Sequence, residues 1–250
     1  ALAACFKARL IHVNVNYRYK ADEVFYTFDD SDAQTVIYGT EFREVIVALK
    51  EHLTKVKSFV EISEDGTAAP FAENYEKLAG SGGGEPLRIA RGSDDMLFLY
   101  TGGTTGMPKG VMWRHNDLRE AQLLAARALG PVPETVPDLV AAIKTVGAGQ
   151  VFMPACPLMH GTGLLTAIGN MMSGGCIVTL GSASFDAQEL WQVVARRRVN
   201  SIAIVGDAFA KPMLTALDEA TVKFDLSSVV TIVSSGVMWS SEVKRGLIGH

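Results

Sequence analysis

The chain has 250 residues, of which 48% are hydrophobic and 20% charged, and its formal net charge is −4 at pH 7. These proportions are ordinary for a globular protein with a buried core, and the length allows one large or two moderate domains. The near-neutral charge and the lack of a long basic run argue against nucleic acid as a partner.

The cysteines and the hydropathy of the chain indicate a cytoplasmic protein without disulfides or membrane spans. Cys5, Cys156 and Cys176 are far apart, odd in number and without a CxxC pair. This pattern favours reduced thiols in a cytoplasmic protein over a disulfide framework or a zinc site. Apolar stretches such as 163–172 are too short to cross a bilayer, so no integral membrane segment is expected.

The first part of the chain alternates between strand and helix patterns. Apolar spacing predicts strands at 11–15, 35–38 and 56–62 and helices at 21–29 and 41–50. This alternation predicts a largely parallel sheet. Segment 64–94 is polar and glycine-rich, and we expect it to be a flexible surface connection without a packed core.

A second α/β pattern follows. Asn116 is expected to cap a helix running to about residue 129, and Pro131, Pro133 and Pro137 mark a connection. Beyond it the pattern predicts strands at 176–180, 201–205 and 229–234 and helices at 186–197 and 207–217. We therefore expect an α/β fold of two subdomains with largely parallel sheets flanked by helices: residues 1–129, a connection at 130–149, and residues 150–250.

Residues 100–110 read Y-T-G-G-T-T-G-M-P-K-G and lie between the apolar runs 96–100 and 111–113. This order predicts a strand, a glycine-rich loop and a second strand. Glycines allow backbone N–H groups to approach an anion, threonines add hydroxyl donors, and Lys109 adds a mobile positive charge. These groups suit the phosphates of a nucleotide.

The loop matches neither of the two common nucleotide-binding motifs. Two residues separate Gly106 from Lys109, whereas a Walker-type lysine directly follows its glycine. Gly102, Gly103 and Gly106 give G-G-x-x-G, which is not the dinucleotide fingerprint G-x-G-x-x-G. A solvent-exposed hairpin whose glycines only satisfy turn geometry remains an alternative.

Residues 101–110 resemble, position by position, the phosphate loop of the adenylate-forming (AMP-binding) enzymes, with Gly102 where serine is common. The V-N-V-N-Y-R segment at 13–18 is similar to another motif of that superfamily, usually assigned to structure. The resemblance covers essentially the whole chain and is greatest to acyl-CoA synthetases for fatty or other hydrophobic acids. It implies activation of a carboxylic acid by ATP with Mg²⁺, release of pyrophosphate, and transfer of the acyl group to CoA.

The resemblance also implies roles for individual residues. Lys109 and His160 are the implied catalytic residues, with His160 bordering the carboxylate of the acid ahead of a helix that lines the acyl pocket. Ser235 and Gly236 would lie against the adenine ring. The phosphates would be bound by Thr101, Gly102, Gly103, Thr104, Thr105, Gly106 and Lys109.

Simpler readings of the same residues stay open. His160 is equally explained as a capping or packed residue, and the turn at Gly236 as a plain turn. Asp207, after a predicted strand, is expected to be a helix N-cap. No metal ligand is expected within the chain, because the resemblance places the magnesium-binding glutamate beyond His250.

The chain is expected to be an internal piece of a longer enzyme. The resemblance places the ribose-binding aspartate, a hinge and a small C-terminal domain with the adenylation lysine outside it. We therefore expect the 250-residue chain not to complete adenylation alone. Two alternatives stay open: a nucleotide- or acyl-binding remnant without catalysis, and an adenylating ligase without CoA chemistry, such as a peptide-synthetase domain.

Overall fold

The computed structural model describes residues 1–102, 106–129, 131–147, 149–182 and 184–250. The chain divides into two compact units, unit 1 over residues 1–118 and unit 2 over residues 119–250. The subdomain limits expected from the sequence, with a connection at 130–149, stay a prediction.

The described residues of unit 1 form two three-stranded sheets, in the orders β2-β3-β4 and β1-β5-β6. All neighbouring strands run parallel except β5 and β6, which form an antiparallel hairpin. Its elements are α1 (Leu2–Ala8), β1 (His12–Asn14), α2 (Ala21–Asp30), β2 (Thr35–Gly39), α3 (Arg43–Leu49), β3 (Ser58–Ile62), β4 (Glu73–Asn74), α4 (Tyr75–Gly80), β5 (Met96–Thr101), β6 (Lys109–Arg114) and the start of α5 (His115–Leu129).

The core of unit 1 lies between the β2-β3-β4 sheet and its helices. Val36 and Tyr38 point from β2 into a cluster with apolar residues of α2 and α3. Alternate residues of β2 are buried and exposed, as period-two spacing predicts. The amphipathic helices supply the other half: Val24, Phe28, Ile46 and Leu49.

The polar segment 64–94 is more ordered than its composition predicts. β4 pairs with β3 in parallel register, with Glu73 opposite Val60. Asn74 caps α4 by accepting a hydrogen bond from the Lys77 N–H at 3.0 Å. Two backbone-paired residues and one cap carry almost no hydropathy signal, which is why the sequence pattern missed both elements.

Unit 2 contains a four-stranded sheet in the order β10-β9-β7-β8, in which every neighbouring pair is parallel. The predicted α/β class with largely parallel sheets is confirmed. Its elements are the rest of α5, α6 (Val136–Val146), β7 (Val151–Pro154), α7 (Gly161–Met172), β8 (Cys176–Ile177), α8 (Ala187–Arg197), β9 (Ser201–Ile204), α9 (Asp207–Asp218), β10 (Thr231–Ser234) and α10 (Ser241–Ile248).

Helix α6 lies within the segment where prolines predict an irregular connection. Thr135 and Asp138 form a reciprocal capping box at its start. Pro137 occupies the first turn, where a helix needs no N–H donor, so this proline starts the helix instead of interrupting it.

The helices of unit 2 cover both faces of its sheet. One face packs on α7 through Phe152, Ala167 and Ala203. The other face packs on α8 and α9 through a larger cluster that includes Met153, Leu190, Trp191, Ile202, Ile204 and Met213. The chain leaves β7 through α7 to reach β8, then returns past β7 through α8 to reach β9. The direction of strand addition therefore reverses between β7 and β9.

The helices formed by the described residues include none that is long and apolar enough to cross a membrane. Cys5, Cys156 and Cys176 are free thiols.

Candidate functional site

The glycine-rich loop is framed by the β5–β6 hairpin. Thr101 and Lys109 are register partners at the end of the hairpin, so they bring the two ends of the loop together. Gly106 has φ +124°, a backbone conformation that side chains other than glycine rarely adopt. Pro108 is fully buried and anchors the loop just before β6. The predicted strand–loop–strand arrangement is confirmed.

Tyr100 fixes the loop end of this hairpin, next to Thr101. Its side chain is buried, and its phenol donates a hydrogen bond to Asp30 at 2.6 Å. Burial first, and the Asp30 carboxylate second, raise the pKa of Tyr100 far above its ordinary value, so the phenol stays protonated. A Cβ on Gly110 would approach the Tyr100 ring to 3.0 Å, so glycine lets β6 lie close on this ring.

The predicted phosphate-binding residues fall into two groups. Thr101, Gly102, Gly106 and Lys109 are exposed at the end of the hairpin. Within the ranges that the structure describes, no carboxylate pairs with Lys109. Gly103, Thr104 and Thr105 lie outside the described residues. The role of the loop in binding phosphates stays a prediction. The exposed position of Lys109 leaves its ammonium group available to an anion.

In unit 2, the remaining predicted residues follow the carboxyl ends of parallel strands. His160 lies between β7 and α7, and Ser235 and Gly236 follow β10. In open α/β sheets, ligands bind at the carboxyl ends of the strands where the direction of strand addition reverses. That reversal lies between β7 and β9, which makes this edge the candidate site of unit 2.

His160 is the N-cap of α7. Its Nδ1 accepts a hydrogen bond from the Thr162 backbone N–H at 3.2 Å. A backbone N–H can only donate, so the neutral ring carries its proton on Nε2. The exposed imidazole thus has a hydrogen-bond donor left for a ligand. The capping alternative for His160 is confirmed, and it leaves the second nitrogen unused by the cap.

Gly236 lies beside the His160 ring. A Cβ on Gly236 would be 3.5 Å from His160 Cε1, 3.5 Å from Val205 Cγ1 and 3.9 Å from Thr162 Oγ1. The surroundings would tolerate that atom, but φ is +92°, so the backbone conformation itself favours glycine. The structure thus brings together two predicted site residues, His160 and Gly236, that are distant in the chain.

Asp207 differs from its expected role as an N-cap. Gly206, with φ +58°, occupies the N-cap position of α9, and Asp207 is the first helical residue. The Asp207 carboxylate instead accepts hydrogen bonds from the N–H and hydroxyl of Ser240. The strand-to-helix turn is one residue shorter than predicted because glycine can adopt the left-handed conformation. The sequence motifs did not identify Ser240 as the partner of Asp207. The only signal near this contact was the Gly206–Asp207 pair at the end of a predicted strand.

A second concave surface of unit 2 lies at the far end of α7 from His160. It encloses about 520 Å³, and an Arg119–Glu134 ion pair of 3.3 Å stands at its margin. Helix α7 has 12 residues, which is about 18 Å of helix. The apolar part of its wall comes from Leu123, Val132, Pro133, Val136, Leu139 and Ile143 together with Met172.

A metal site requires several ligand side chains close together. In the parts of the chain that the structure describes, no three His, Cys, Asp or Glu side chains cluster as a metal site. Hard cations such as Mg²⁺ require several oxygen ligands. The described acidic and imidazole side chains therefore do not form a magnesium site by themselves.

Comparison with known proteins identifies the family. A family model described as "AMP-binding enzyme" matches residues 1–249. The chain belongs to the AMP-binding enzyme family. This confirms the resemblance seen in the loop at 101–110.

Curated members of the family include two informative relatives. The chain is 35% identical to a 3-oxocholest-4-en-26-oate–CoA ligase from Rhodococcus rhodochrous, covering 98% of this chain and 45% of the relative. It is 29% identical to the medium-chain acyl-CoA ligase Mig from Mycobacterium avium, covering 99% and 45% respectively. The chain thus spans somewhat less than half the length of these AMP-binding relatives.

Solved structures of similar proteins share the fold. A long-chain-fatty-acid–CoA ligase from Archaeoglobus fulgidus superposes with a TM-score of 0.76 at 19% identity, over 98% of this chain and 45% of that protein. The inhibitor-bound N-terminal domain of FACL13 from Mycobacterium tuberculosis gives a TM-score of 0.74 at 22% identity, over 96% and 54%. At these identities the likeness establishes the fold of the family.

Proposed function

We propose that this chain is part of an acid–CoA ligase that forms an acyl-adenylate. A carboxylate oxygen of the acid attacks the α-phosphorus of ATP, and the bond to pyrophosphate breaks. The CoA thiol then attacks the acyl carbon, giving a thioester and AMP. Adenylation is chemically necessary because a carboxylate is a poor electrophile, whereas AMP is a good leaving group.

The observation that carries the proposal is the framed loop between Thr101 and Lys109, in a chain of the AMP-binding family. In the proposal, the residues from Thr101 to Gly106 and Lys109 bind the β- and γ-phosphates by backbone N–H groups, hydroxyls and charge. Such positioning and charge stabilisation is the usual contribution of a protein to reactions at phosphates.

Unit 2 would bind the other parts of the reactants. The adenine ring would lie on the Ser235–Gly236 backbone, where the absence of a side chain on Gly236 leaves a flat surface. The His160 Nε2–H would donate a hydrogen bond to the carboxylate of the acid. Because a Cβ on Gly236 would lie 3.5 Å from His160 Cε1, the two residues are close enough for one bound adenylate to contact both.

The acid is proposed to be hydrophobic. The apolar concavity at the far end of α7 has a volume within the range of small-molecule sites, about 300–1,000 Å³. The relatives named above act on a cholestenoate and on medium-chain acyl groups. A long apolar substituent whose carboxylate lies at His160 would extend along α7 toward this concavity.

Nucleotide binding by the 250-residue chain tests the phosphate assignment. Lys109→Ala should weaken ATP binding about tenfold, since a charge-assisted contact is lost, and leave AMP binding unchanged, because AMP lacks the β- and γ-phosphates. Lys77→Ala, an exposed lysine of unit 1, is the matched control. Isothermal titration with both nucleotides measures this. Equal losses for ATP and AMP in Lys109→Ala would contradict the assignment.

Product formation tests the reaction itself. We expect no ATP- and CoA-dependent thioester from the 250-residue chain, since the adenylation lysine is predicted to lie outside it. Thioester formation by this chain would overturn that expectation.

A longer protein containing this chain should release pyrophosphate with a panel of fatty, aromatic and polycyclic acids. If none of these acids supports release while nucleotide still binds, the chain is better described as a binding remnant, and pyrophosphate release without CoA transfer would favour a non-CoA ligase.

A further inference from the structure

Two loops at the candidate site of unit 2 are fastened to each other. The Gly206 N–H donates a hydrogen bond to the Ser234 hydroxyl at 2.8 Å, and the Asp207 N–H donates to the Met238 carbonyl at 3.3 Å. The Asp207 carboxylate accepts from the Ser240 N–H at 2.9 Å and from its hydroxyl at 3.2 Å. The segment 235–239 is therefore held at both of its ends.

The two loops approach closely because Gly206 has no side chain. A Cβ there would lie 2.5 Å from the Met238 carbonyl oxygen and 2.4 Å from Val237 Cγ2. Backbone cannot move aside as a flexible side chain can. The contact between the loop after β9 and the loop after β10 thus depends on glycine at this turn.

Asp207 supplies the strongest part of this fastening. Its side chain is 26% exposed, and the hydrogen bond from the Ser240 backbone N–H holds the pKa of the carboxyl below its ordinary value. The carboxylate is therefore ionised, and hydrogen bonds to an ionised acceptor are about twice as strong as neutral ones. Lys211 lies 3.5 Å away on the next turn of α9 and adds a weak surface pair.

We propose that Asp207 is a positioning residue for the nucleotide. Through Ser240 it holds the 235–239 segment so that the Gly236 backbone stays beside the His160 ring. This inference rests on the proposed function, because it assumes that adenine lies on Gly236. Asp207 itself need not touch the ligand; it acts by keeping the flat glycine surface formed before the ligand arrives, which lowers the cost of ordering on binding.

Asp225 offers a matched control in the same unit. It also accepts hydrogen bonds from the N–H and hydroxyl of one serine, Ser227, and it pairs with Arg198 at 3.2 Å. It precedes β10 and so lies at the amino-terminal edge of the sheet, opposite the candidate site. Removing Asp225 therefore costs a similar set of bonds without touching the 235–239 segment.

The experiment measures AMP binding to the 250-residue chain by isothermal titration and amide hydrogen exchange of 235–240 in the unliganded chain. Asp207→Ala should weaken AMP binding about tenfold and speed exchange of these amides. Asp207→Asn keeps an oxygen acceptor for Ser240 and should stay within about threefold of the original chain. Asp225→Ala should leave both readouts unchanged.

Specific outcomes decide the proposal. Equal effects of Asp207→Ala and Asp225→Ala, or an asparagine variant as weak as the alanine variant, would overturn it. If the original chain does not bind AMP, the proposed function fails for this chain. The exchange data then decide the positioning role alone: faster exchange in Asp207→Ala supports it, and unchanged exchange overturns it.

Discussion

The two nitrogens of the His160 ring face different tasks. Nδ1 accepts a hydrogen bond from the Thr162 N–H at the first turn of α7, and Nε2–H could donate a hydrogen bond to a bound carboxylate. A cap of this kind contributes roughly 1 kcal/mol to stability. Because the two nitrogens are separate, the cap and the ligand contact can be removed independently.

Substitutions at His160 should separate these tasks. Asparagine is a strong N-cap residue, so His160→Asn should keep the free energy of unfolding within about 0.5 kcal/mol, whereas His160→Ala should lower it by about 1 kcal/mol. Both variants lose the Nε2 donor and should bind a hydrophobic carboxylic acid less tightly. Urea unfolding followed by circular dichroism and acid titration measure the two effects. Undiminished acid binding in His160→Asn would remove His160 from the proposed carboxylate site.

Glycines at the ends of the phosphate loop should respond differently to substitution. A Cβ on Gly102 would meet no heavy atom of the described residues within 4 Å, so Gly102→Ser should keep ATP affinity within about twofold. Gly106 has φ +124°, so Gly106→Ala should strain the loop by about 1–3 kcal/mol and weaken ATP binding. Titration of both variants with ATP checks this, and similar affinities for the two would contradict the backbone argument.

Motifs in the sequence single out His160 and Gly236 as candidate site residues, but they do not predict the contacts around them. A histidine before an apolar helix and a glycine after a strand leave local signatures. The Asp207–Ser240 and Tyr100–Asp30 hydrogen bonds join residues distant in the chain, and no periodic pattern connects such partners. Long-range polar pairs follow from the fold, so they become visible only once strand order is known.

The strand β3 contains a buried carboxylate. Glu61 has no exposed side-chain surface and accepts hydrogen bonds from Tyr38 at 3.0 Å, Arg43 at 2.8 Å and the Ala69 N–H at 2.9 Å. Burial alone would raise the pKa of Glu61, but Arg43 and the other donors outweigh it and hold the pKa below its ordinary value. The network ties β2, β3, α3 and the loop after β3 together.

Stability of unit 1 should therefore fall in acid because of Glu61. A depressed folded pKa means that its contribution is complete above the unfolded pKa, about 4.3, and is lost as pH falls through the folded value. Between about pH 6 and pH 3, the original chain should lose more unfolding free energy than Glu61→Gln, which cannot ionise. Urea titrations over this range measure the difference. Parallel pH profiles of the two proteins would contradict the assignment.

Which elements could be predicted follows from how each is stabilised. The strand β2 and the helices α2 and α8 bury one apolar face, so their hydropathy period predicts them. The strand β9 is buried along its whole length, and a short apolar run predicts it. β4, α4 and α6 depend on backbone pairing, side-chain caps and a proline in a first turn, which leave little apolar signal. The candidate site of unit 2 could not be predicted from hydropathy alone, because the order of the strands in the sheet decides which strand ends lie next to each other.

Each of the two units has a hydrophobic cluster of its own among the described residues, and the tryptophans of the chain divide between the units. Trp113 lies in unit 1, whereas Trp191 and Trp239 lie in unit 2. Trp191 is buried and donates a hydrogen bond to the Met213 carbonyl at 2.9 Å, joining α8 to α9. A chain that keeps Trp191 alone would report the unfolding of unit 2.

Nucleotide should stabilise unit 2 in such a chain. With Trp113→Phe and Trp239→Phe, AMP at about one hundred times its dissociation constant should raise the unfolding free energy reported by Trp191 by about 2.7 kcal/mol. Fluorescence-monitored urea unfolding with and without AMP measures this shift. Inorganic phosphate at the same concentration controls for a general effect of the anion, and an AMP-insensitive transition would contradict binding at the edge of β9 and β10.

The β5–β6 hairpin has a further consequence for how the protein is made. Its two strands are adjacent in the chain and joined by one short loop, so they can pair on a timescale of about 1–10 microseconds. The strand β1, which pairs with β5, precedes the hairpin in the chain and is synthesised before it. Asp30, which accepts a hydrogen bond from Tyr100, also precedes the hairpin. The parallel pairs of unit 2 must wait for intervening helices. During synthesis on a ribosome, the hairpin that frames the phosphate loop can therefore assemble while the residues of α7 and β10 are still untranslated.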